Sequence, residues 1–204
     1  MVGKSIIRLA QLQEKPRLQD ICLQTGNSGN DASSDFEHKE LLSDFYLAPY
    51  LESDPEFAFV LEQSGAVNGY AVGALDSIAF SQYMAEKYLP LLRKKYAAVF
   101  DGFNLPEQAV WRLINSKFEV NAQLIERFPS HLHIDLLPVA QGRGHGKHLI
   151  ETLCSAFAGA GSPGVHIGVS VENIRAFHFY QKMGFQVQSN EDGTIFMGLD
   201  FTSL

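Results

Sequence analysis

A glycine-rich run between an apolar stretch and an amphipathic stretch holds the strongest candidates for chemistry in this chain. Residues 136–147 read LLPVAQGRGHGK, with glycines at alternate positions. Glycines let a backbone approach a ligand closely, and the free N–H groups at the start of a helix attract anions. The run therefore predicts a turn that binds a pyrophosphate, with charge-assisted contacts from Arg143 and Lys147. The predicted binding residues of this loop are Gln141, Gly142, Arg143, Gly144, His145, Gly146 and Lys147.

Two familiar nucleotide loops do not fit this run. A P-loop needs Ser or Thr after Gly-Lys, and His148 stands there. A dinucleotide fingerprint, Gly-x-Gly-x-x-Gly, needs its third glycine where Lys147 or Leu149 stands. The pattern that remains is Gln-x-x-Gly-x-Gly, from Gln141 to Gly146. A plain strand-to-helix turn is the alternative interpretation.

A second motif follows about 30 residues after the glycine loop, by the spacing of the sequence. Residues 169–185 read VSVENIRAFHFYQKMGF, an apolar strand followed by Asn173, Tyr180 and a Gly-Phe pair. The two motifs together resemble the GNAT superfamily of N-acetyltransferases over residues 131–185. Residues 129–138 and 161–166 also resemble the acetyltransferase-like domain of eukaryotic O-GlcNAc hydrolases and its stand-alone bacterial relatives.

This resemblance implies that acetyl-CoA is the cosubstrate and that an amine attacks its thioester directly in a ternary complex. It also implies that the backbone of Leu136 and Leu137 pairs with the pantetheine arm, and that a backbone N–H faces the thioester carbonyl. By the same resemblance Tyr180 is the general acid that protonates the departing thiolate. Asn173 either holds the cofactor or caps its helix, since Asn is a preferred N-cap. For Tyr180, ring packing against the sheet is the alternative.

The sequence offers several candidates for the general base that would deprotonate the acceptor amine. Many relatives place a glutamate where this chain has Gly168. His131, His133 and Asp135 alternate along a predicted strand and so share one face. Of these, His133 and Asp135 are the candidate catalytic residues, while Glu172 and a proton relayed by solvent stay open.

Two rival functions deserve comparison. The alternation of His131, His133 and Asp135 resembles half of a metallohydrolase site, but Leu136 replaces the last histidine. No metal site is therefore predicted. The second rival is a catalytically inactive acetyl-CoA-binding or protein-interaction module of the same fold, which the missing glutamate would allow.

The composition narrows the class of protein and its partners. The chain has 204 residues, 46% of them hydrophobic, and a net charge of −7. This charge disfavours nucleic acid and anionic membranes and favours a cationic acceptor such as an amine. Two distant cysteines, no signal segment and no long apolar run predict a cytoplasmic protein without disulfides. The sequence leaves the acceptor open among protein lysines, N-terminal amines, aminosugars, polyamines and antibiotics.

The predicted fold class is α/β: a GNAT-like mixed, mostly antiparallel sheet flanked by helices, in a single domain over residues 1–204. Strands are predicted at 5–10, 57–62, 67–75, 131–137 and 165–171, with a final hairpin, and helices at 16–23, 145–158 and 174–183. Residues 131–185 would form the acetyl-CoA-binding core. An insertion at 76–129, with helices at 79–96 and 106–118, precedes it. We expect this insertion to form either a lid over the acceptor or a homodimer interface.

Overall fold

The computed structural model describes residues 5–117 and 121–201, and its centre is a seven-stranded sheet. The strands are β1 (Ser5–Leu9), β2 (Ala58–Gln63), β3 (Ala66–Ala74), β4 (Ser130–Leu136), β5 (Gly164–Ser170), β6 (Gln186–Glu191) and β7 (Thr194–Asp200). The helices are α1 (Lys15–Thr25), α2 (Leu41–Tyr46), α3 (Ala48–Ser53), α4 (Ser77–Tyr83), α5 (Leu89–Tyr96), α6 (Leu105–Asn115), α7 (Ala122–Arg127), α8 (His145–Gly159) and α9 (Ile174–Lys182).

The strand order is β1-β2-β3-β4-β5-β7-β6, and the β4–β5 pair is parallel while its neighbours in the sheet are antiparallel. This arrangement confirms the predicted mixed, mostly antiparallel sheet flanked by helices. It also confirms the edge position of the first strand and the final hairpin.

The parallel pair at the centre of the sheet separates soon after it forms. The register joins β4 to β5 only through Ser130 with Val165 and His131 with His166. Beyond His131 the two strands diverge, so the second half of β4 has a neighbour on the β3 side alone. The divergence leaves a wedge in the middle of the sheet, open toward the end of β4.

Apolar side chains from the two faces of the sheet form two clusters. One cluster packs α1–α3 and the helices that follow β3 against one face. The other packs α8 and α9 against the opposite face. The amphipathic stretch after the glycine run forms α8, as predicted, and its Leu149, Ile150, Leu153 and Phe157 make a fully buried apolar stripe. Each such side chain contributes about 1.5–3 kcal/mol, and together they fix the helix whose first turn lies beside the wedge.

The segment between β3 and β4 is helical, as predicted, but its boundaries differ from the expected ones. Pro90 does not interrupt this helical segment, because α4 continues into α5 through a π-helical turn, Met84–Tyr88. Proline lacks an N–H, and the wider turn removes the need for one. Helix α6 ends at Asn115 rather than at Phe118, which lies outside the described residues. The short helix α7 was not expected.

Two further observations concern the predicted absence of disulfides and of membrane-spanning segments. Cys22 and Cys154 are both buried free thiols, one in each cluster. Among the described residues, no helix combines the length and the apolar character that crossing a bilayer requires.

Candidate functional site

The free edge of β4 faces the wedge, and the hydrogen bonds of its last residues show which groups it presents. Leu137 donates its N–H to the Asn68 carbonyl at 2.9 Å, on the β3 side. Antiparallel neighbours alternate between bonded and non-bonded pairs, so the N–H and C=O groups of Ile134 and Leu136 point the other way. The Leu136 carbonyl indeed accepts from the Gln141 side chain at 2.7 Å.

This register corrects one sequence expectation. Leu137 also gives its carbonyl to the Ala140 N–H at 2.8 Å, and its side chain is buried. Its N–H and C=O groups are therefore already bonded within the protein and are not offered to a pantetheine arm. The residues that present backbone groups to the wedge are Leu136 and Ile134.

The glycine loop turns the chain from β4 into α8. Gly142 and Gly144 have φ values of 74° and 79°, in the left-handed region that side chains with a Cβ rarely adopt. No side chain caps α8. No described residue accepts a hydrogen bond from the backbone N–H groups of residues 142–147. The loop thus presents uncapped donors at the positive end of a helix dipole, as an anion site requires.

The side chains around the loop divide into two groups. Lys147 lies beside the cavity described below and forms an ion pair with Glu151 at 3.6 Å. Arg143 is exposed and does not line the cavity, and the His145 ring contacts Gln63 at 3.1 Å and does not line it either. Of the groups of His145, the backbone N–H is therefore placed to bind an anion, and the ring is not.

One cation near the loop, Arg175, was not predicted from the sequence. Arg175, in the first turn of α9, donates to the Gln141 side-chain oxygen at 2.9 Å. Gln141 in turn bonds Leu136, so this amide ties the loop to β4 on one side and to Arg175 on the other. Nothing in the local sequence distinguishes Arg175, because its role depends on a contact between segments 34 residues apart.

A cavity of about 1110 Å³ joins the loop, the wedge and α9. The β4 residues His133, Ile134, Asp135 and Leu136 line its floor. The loop wall holds Gln141, Gly142, Gly144, Gly146 and Lys147, and the α9 wall holds Asn173, Arg175, Ala176, Phe179 and Tyr180. The opposite wall comes from the turn after α1 and from α6, including Asn27, Ser28, Gly29, Pro106, Val110 and Leu113.

The second sequence motif meets the first inside this cavity. Asn173 caps α9 by accepting the Ala176 N–H at 3.0 Å, and it lines the cavity as well. Tyr180 lies two turns further along, with only 8% of its surface exposed. Its hydroxyl bonds to no described residue, yet no described buried polar side-chain atom lacks a partner, so the hydroxyl faces the cavity. Burial and the charge of Asp135 raise the pKa of Tyr180, which keeps the phenol protonated.

The candidate bases project from β4 on the opposite face from α8. Burial and then the neighbouring His166 lower the pKa of His133 to about 4, so its imidazole is neutral at physiological pH. Burial raises the pKa of Asp135, although hydrogen bonds from Tyr70 and Thr25 act in the opposite direction. His133 and Asp135 flank Ile134, whose backbone faces the wedge. Glu172 is exposed and lines neither cavity.

A second cavity, of about 450 Å³, adjoins the first at Tyr46 and His133, which line both. Aromatic rings and three imidazoles form most of its surface, with Glu191 as a carboxylate. Its lining comprises Phe45, Tyr46, Tyr50, Phe80, Met84, Asn121, Leu124, His131, His133, His166, Glu191 and Phe196. It lies near the start of β4, where β4 and β5 meet.

Helices from the segment between β3 and β4 contribute to both cavities. Residues of α6 line the first, while Phe80, Met84 and Leu124 line the second. Among the nearby aromatic side chains, Tyr46 lines both cavities and Tyr50 lines the second. Trp111 does not, because it stacks on Phe100 with ring centroids 5.2 Å apart.

Comparison with known proteins identifies the family and the fold that this chain resembles. Residues 119–185 match the Acetyltransferase (GNAT) family model. The chain is 24% identical over 155 residues to the Protein O-GlcNAcase of Rattus norvegicus and, equally, to that of Mus musculus. That match covers 74% of this chain but only 17% of each relative, so the chain spans about a sixth of the length of the curated relatives it matches.

Solved structures resemble almost the whole chain. The crystal structure of SsHAT is 29% identical, with a TM-score of 0.89, and the match covers 97% of this chain and 98% of that one. The yncA protein of Salmonella typhimurium, solved with its cofactor acetyl-CoA, is 14% identical with a TM-score of 0.56, over 96% and 93% of the two chains. The chain therefore carries the GNAT family signature in residues 119–185 and the GNAT acetyltransferase fold along nearly its whole length.

Proposed function

We propose that this protein transfers an acetyl group from acetyl-CoA to an amine, by direct attack of the amine on the thioester in a ternary complex. The observation that carries the proposal is one cavity that joins an uncapped helix start, a free strand edge and the Tyr180 hydroxyl. These three features match the three parts of the cosubstrate: its pyrophosphate, its amide-containing arm and its thioester.

In this proposal the cosubstrate enters along the loop. The N–H groups of residues 142–147 hold the pyrophosphate, with Lys147 and Arg175 close enough to the loop to add charge-assisted bonds. The pantetheine arm lies in the wedge as an extra strand and pairs with the free backbone groups of Ile134 and with the N–H of Leu136, whose carbonyl accepts from Gln141. A backbone N–H on this edge stabilises the oxyanion, a contact whose removal typically costs roughly 10²–10³ in rate.

The acceptor amine approaches from the second cavity. The two cavities adjoin at His133, so an amine in the second cavity reaches the β4 edge without displacing the cosubstrate. Its nitrogen attacks the thioester carbon, and the tetrahedral intermediate then expels the thiolate. His133 accepts a proton from the amine nitrogen, Asp135 attracts the amine through its negative charge, and Tyr180 donates a proton to the leaving sulfur.

The helical segment between β3 and β4 acts as a wall of the acceptor site in this account. It supplies α6 to one cavity and parts of α4 and α7 to the other. Such a wall selects acceptors by shape, and its aromatic rings suit an amine carried on an apolar or aromatic body. The proposal thus favours the lid over the dimer interface. It also treats residues 1–204 as one domain, and its chemistry uses no metal ion.

A steady-state assay tests the proposed function directly. The protein is incubated with acetyl-CoA and a panel of amines that spans lysine peptides, aminosugars, polyamines and arylalkylamines, and free thiol and acetylated product are both measured. We expect amine-dependent thiol release with matching product. Double-reciprocal plots that intersect are expected for a ternary complex, whereas parallel lines would indicate an acetylated enzyme. A protein that binds acetyl-CoA but acetylates no amine would instead be a binding module.

A further inference from the structure

A continuous chain of hydrogen bonds runs behind His133, away from the cosubstrate wedge. Ser77 Oγ lies 2.6 Å from the Pro129 carbonyl oxygen and 2.7 Å from Nδ1 of His131. Nε2 of His131 lies 3.0 Å from the Tyr50 hydroxyl, and Nε2 of His133 lies 3.1 Å from the same hydroxyl. Because Ser and Tyr hydroxyls each carry one proton, the direction of every bond in this chain can be derived.

The donor and acceptor of each hydrogen bond are derived first at Ser77. Two oxygen atoms at 2.6 Å repel unless a proton lies between them, and a carbonyl carries none, so Ser77 donates to Pro129. Ser77 has then no proton left for His131. The contact at 2.7 Å therefore requires His131 to donate from Nδ1.

The donors and acceptors at Tyr50 follow from the protonation of His131. His131 is only 9% exposed, and no described carboxylate pairs with it, so an imidazolium there would be a buried and unpaired charge. Burial accordingly places the pKa of His131 well below its ordinary value. A neutral His131 protonated at Nδ1 has a bare Nε2, which accepts the single proton of Tyr50. The Tyr50 oxygen can then only accept from His133, which must carry its proton at Nε2.

The last atom of the chain is Nδ1 of His133. A neutral imidazole protonated at Nε2 has a bare lone pair at Nδ1. No described residue bonds to this atom, yet no described buried polar side-chain atom is left without a partner, so Nδ1 is open to the cavities. We infer that Ser77, His131 and Tyr50 form a positioning relay that holds His133 protonated at Nε2, with Nδ1 free to accept the proton of the acceptor amine. The inference rests on the proposed function for the identity of that proton.

The relay makes a prediction that needs no substrate. Nitrogen-15 NMR of histidine-labelled protein distinguishes a protonated ring nitrogen from a bare one, and the signals of His131 and His133 are assigned from His131→Gln and His133→Gln. We expect opposite tautomers in the folded wild type, with Nδ1–H in His131 and Nε2–H in His133. The same tautomer in both rings, or a protonated His131, would overturn the inference, whatever the protein catalyses.

Two substitutions test the direction of the relay. Ser77→Ala removes the acceptor of the His131 proton, and Ser77 lines neither cavity. We expect the tautomers of both His131 and His133 to shift together toward the reverse forms, although His133 does not contact Ser77. Tyr50→Phe separates the two rings, so that in the double variant Ser77→Ala with Tyr50→Phe the shift of His133 no longer follows that of His131.

The activity should follow the tautomer. We expect kcat to fall on the order of tenfold in each single variant, within the range typical of residues that orient another group. The control is Tyr88→Phe, which removes a buried hydroxyl bonded to the Asp44 carbonyl at 2.8 Å, away from His133. If Ser77→Ala left the His133 tautomer unchanged, or if Tyr88→Phe reduced kcat equally, the relay would be refuted. If the tautomers shifted as expected in a protein without transferase activity, the relay would stand and the proposed function would fail.

Discussion

Replacement of Tyr180 by phenylalanine should lower kcat for acetyl transfer by roughly 10²- to 10⁴-fold, the usual contribution of a general acid. The hydroxyl faces the cavity and bonds to no described residue, so its removal leaves no partner unsatisfied. The ring stays packed near Phe179 and Phe185. The thiolate, no longer protonated as it leaves, becomes a poorer leaving group.

The measurement is a steady-state assay together with calorimetric binding of acetyl-CoA. We expect the loss in kcat, with little change in the Kd for acetyl-CoA and in the thermal unfolding midpoint. Tyr96→Phe is a suitable control for the loss of a buried phenol, because its hydroxyl bonds Asp44 at 2.7 Å, outside both cavities. A Tyr180→Phe variant with wild-type kcat would limit Tyr180 to packing.

Replacement of His133 by glutamine should also lower kcat by about 10²- to 10⁴-fold. Glutamine is chosen because its amide N–H₂ can donate to Tyr50 as Nε2 of His133 does, while it lacks a basic nitrogen. Since burial lowers the pKa of His133 to about 4, the wild-type imidazole is in its proton-accepting form throughout the neutral range. The glutamine variant therefore loses the proton-accepting nitrogen but keeps the hydrogen bond to Tyr50.

The assay compares kcat and the KM for the amine across three variants. His178→Gln is the control, since His178 is exposed and contacts Gln181, also exposed, at 3.1 Å. Asp135→Asn keeps an oxygen that accepts from Tyr70 but loses the charge, so we expect it to raise the KM for the amine more than it lowers kcat. The reverse pattern, with kcat lost in Asp135→Asn and kept in His133→Gln, would assign the base to Asp135.

The sequence predicted the parts of this site that depend on local patterns. A left-handed glycine at the start of a helix, an apolar helix stripe and an Asn cap each follow from neighbouring residues. The mixed, mostly antiparallel sheet and the meeting of the two motifs also followed, through the family resemblance. Residue alternation correctly grouped His133 with Asp135 on one face of β4.

Other features depend on contacts that no local pattern shows. The family resemblance predicts Leu137 at the free edge, where the structure places Ile134. The difference arises because Leu137 pairs with Asn68 across the sheet, which no local pattern shows. Arg175 and Tyr50 act through Gln141 and His133, residues distant in the chain. The helix continues through Pro90 because the preceding turn is π-helical, which helix propensity does not predict. These features come from tertiary packing, which overrides local preference.

The most direct test of the account is calorimetric titration of acetyl-CoA into the wild type and into Gly144→Glu. At φ 79° a Cβ is strained, and the new carboxylate would meet the phosphates at the start of α8. Gly193→Glu is the matched control, since it adds the same charge at a φ of 78°, in open space within the β6–β7 turn. We predict micromolar binding by the wild type and by Gly193→Glu, and no detectable binding by Gly144→Glu. A folded wild type that does not bind acetyl-CoA, or a Gly144→Glu variant that binds it as well as the wild type, would contradict the assignment of this loop.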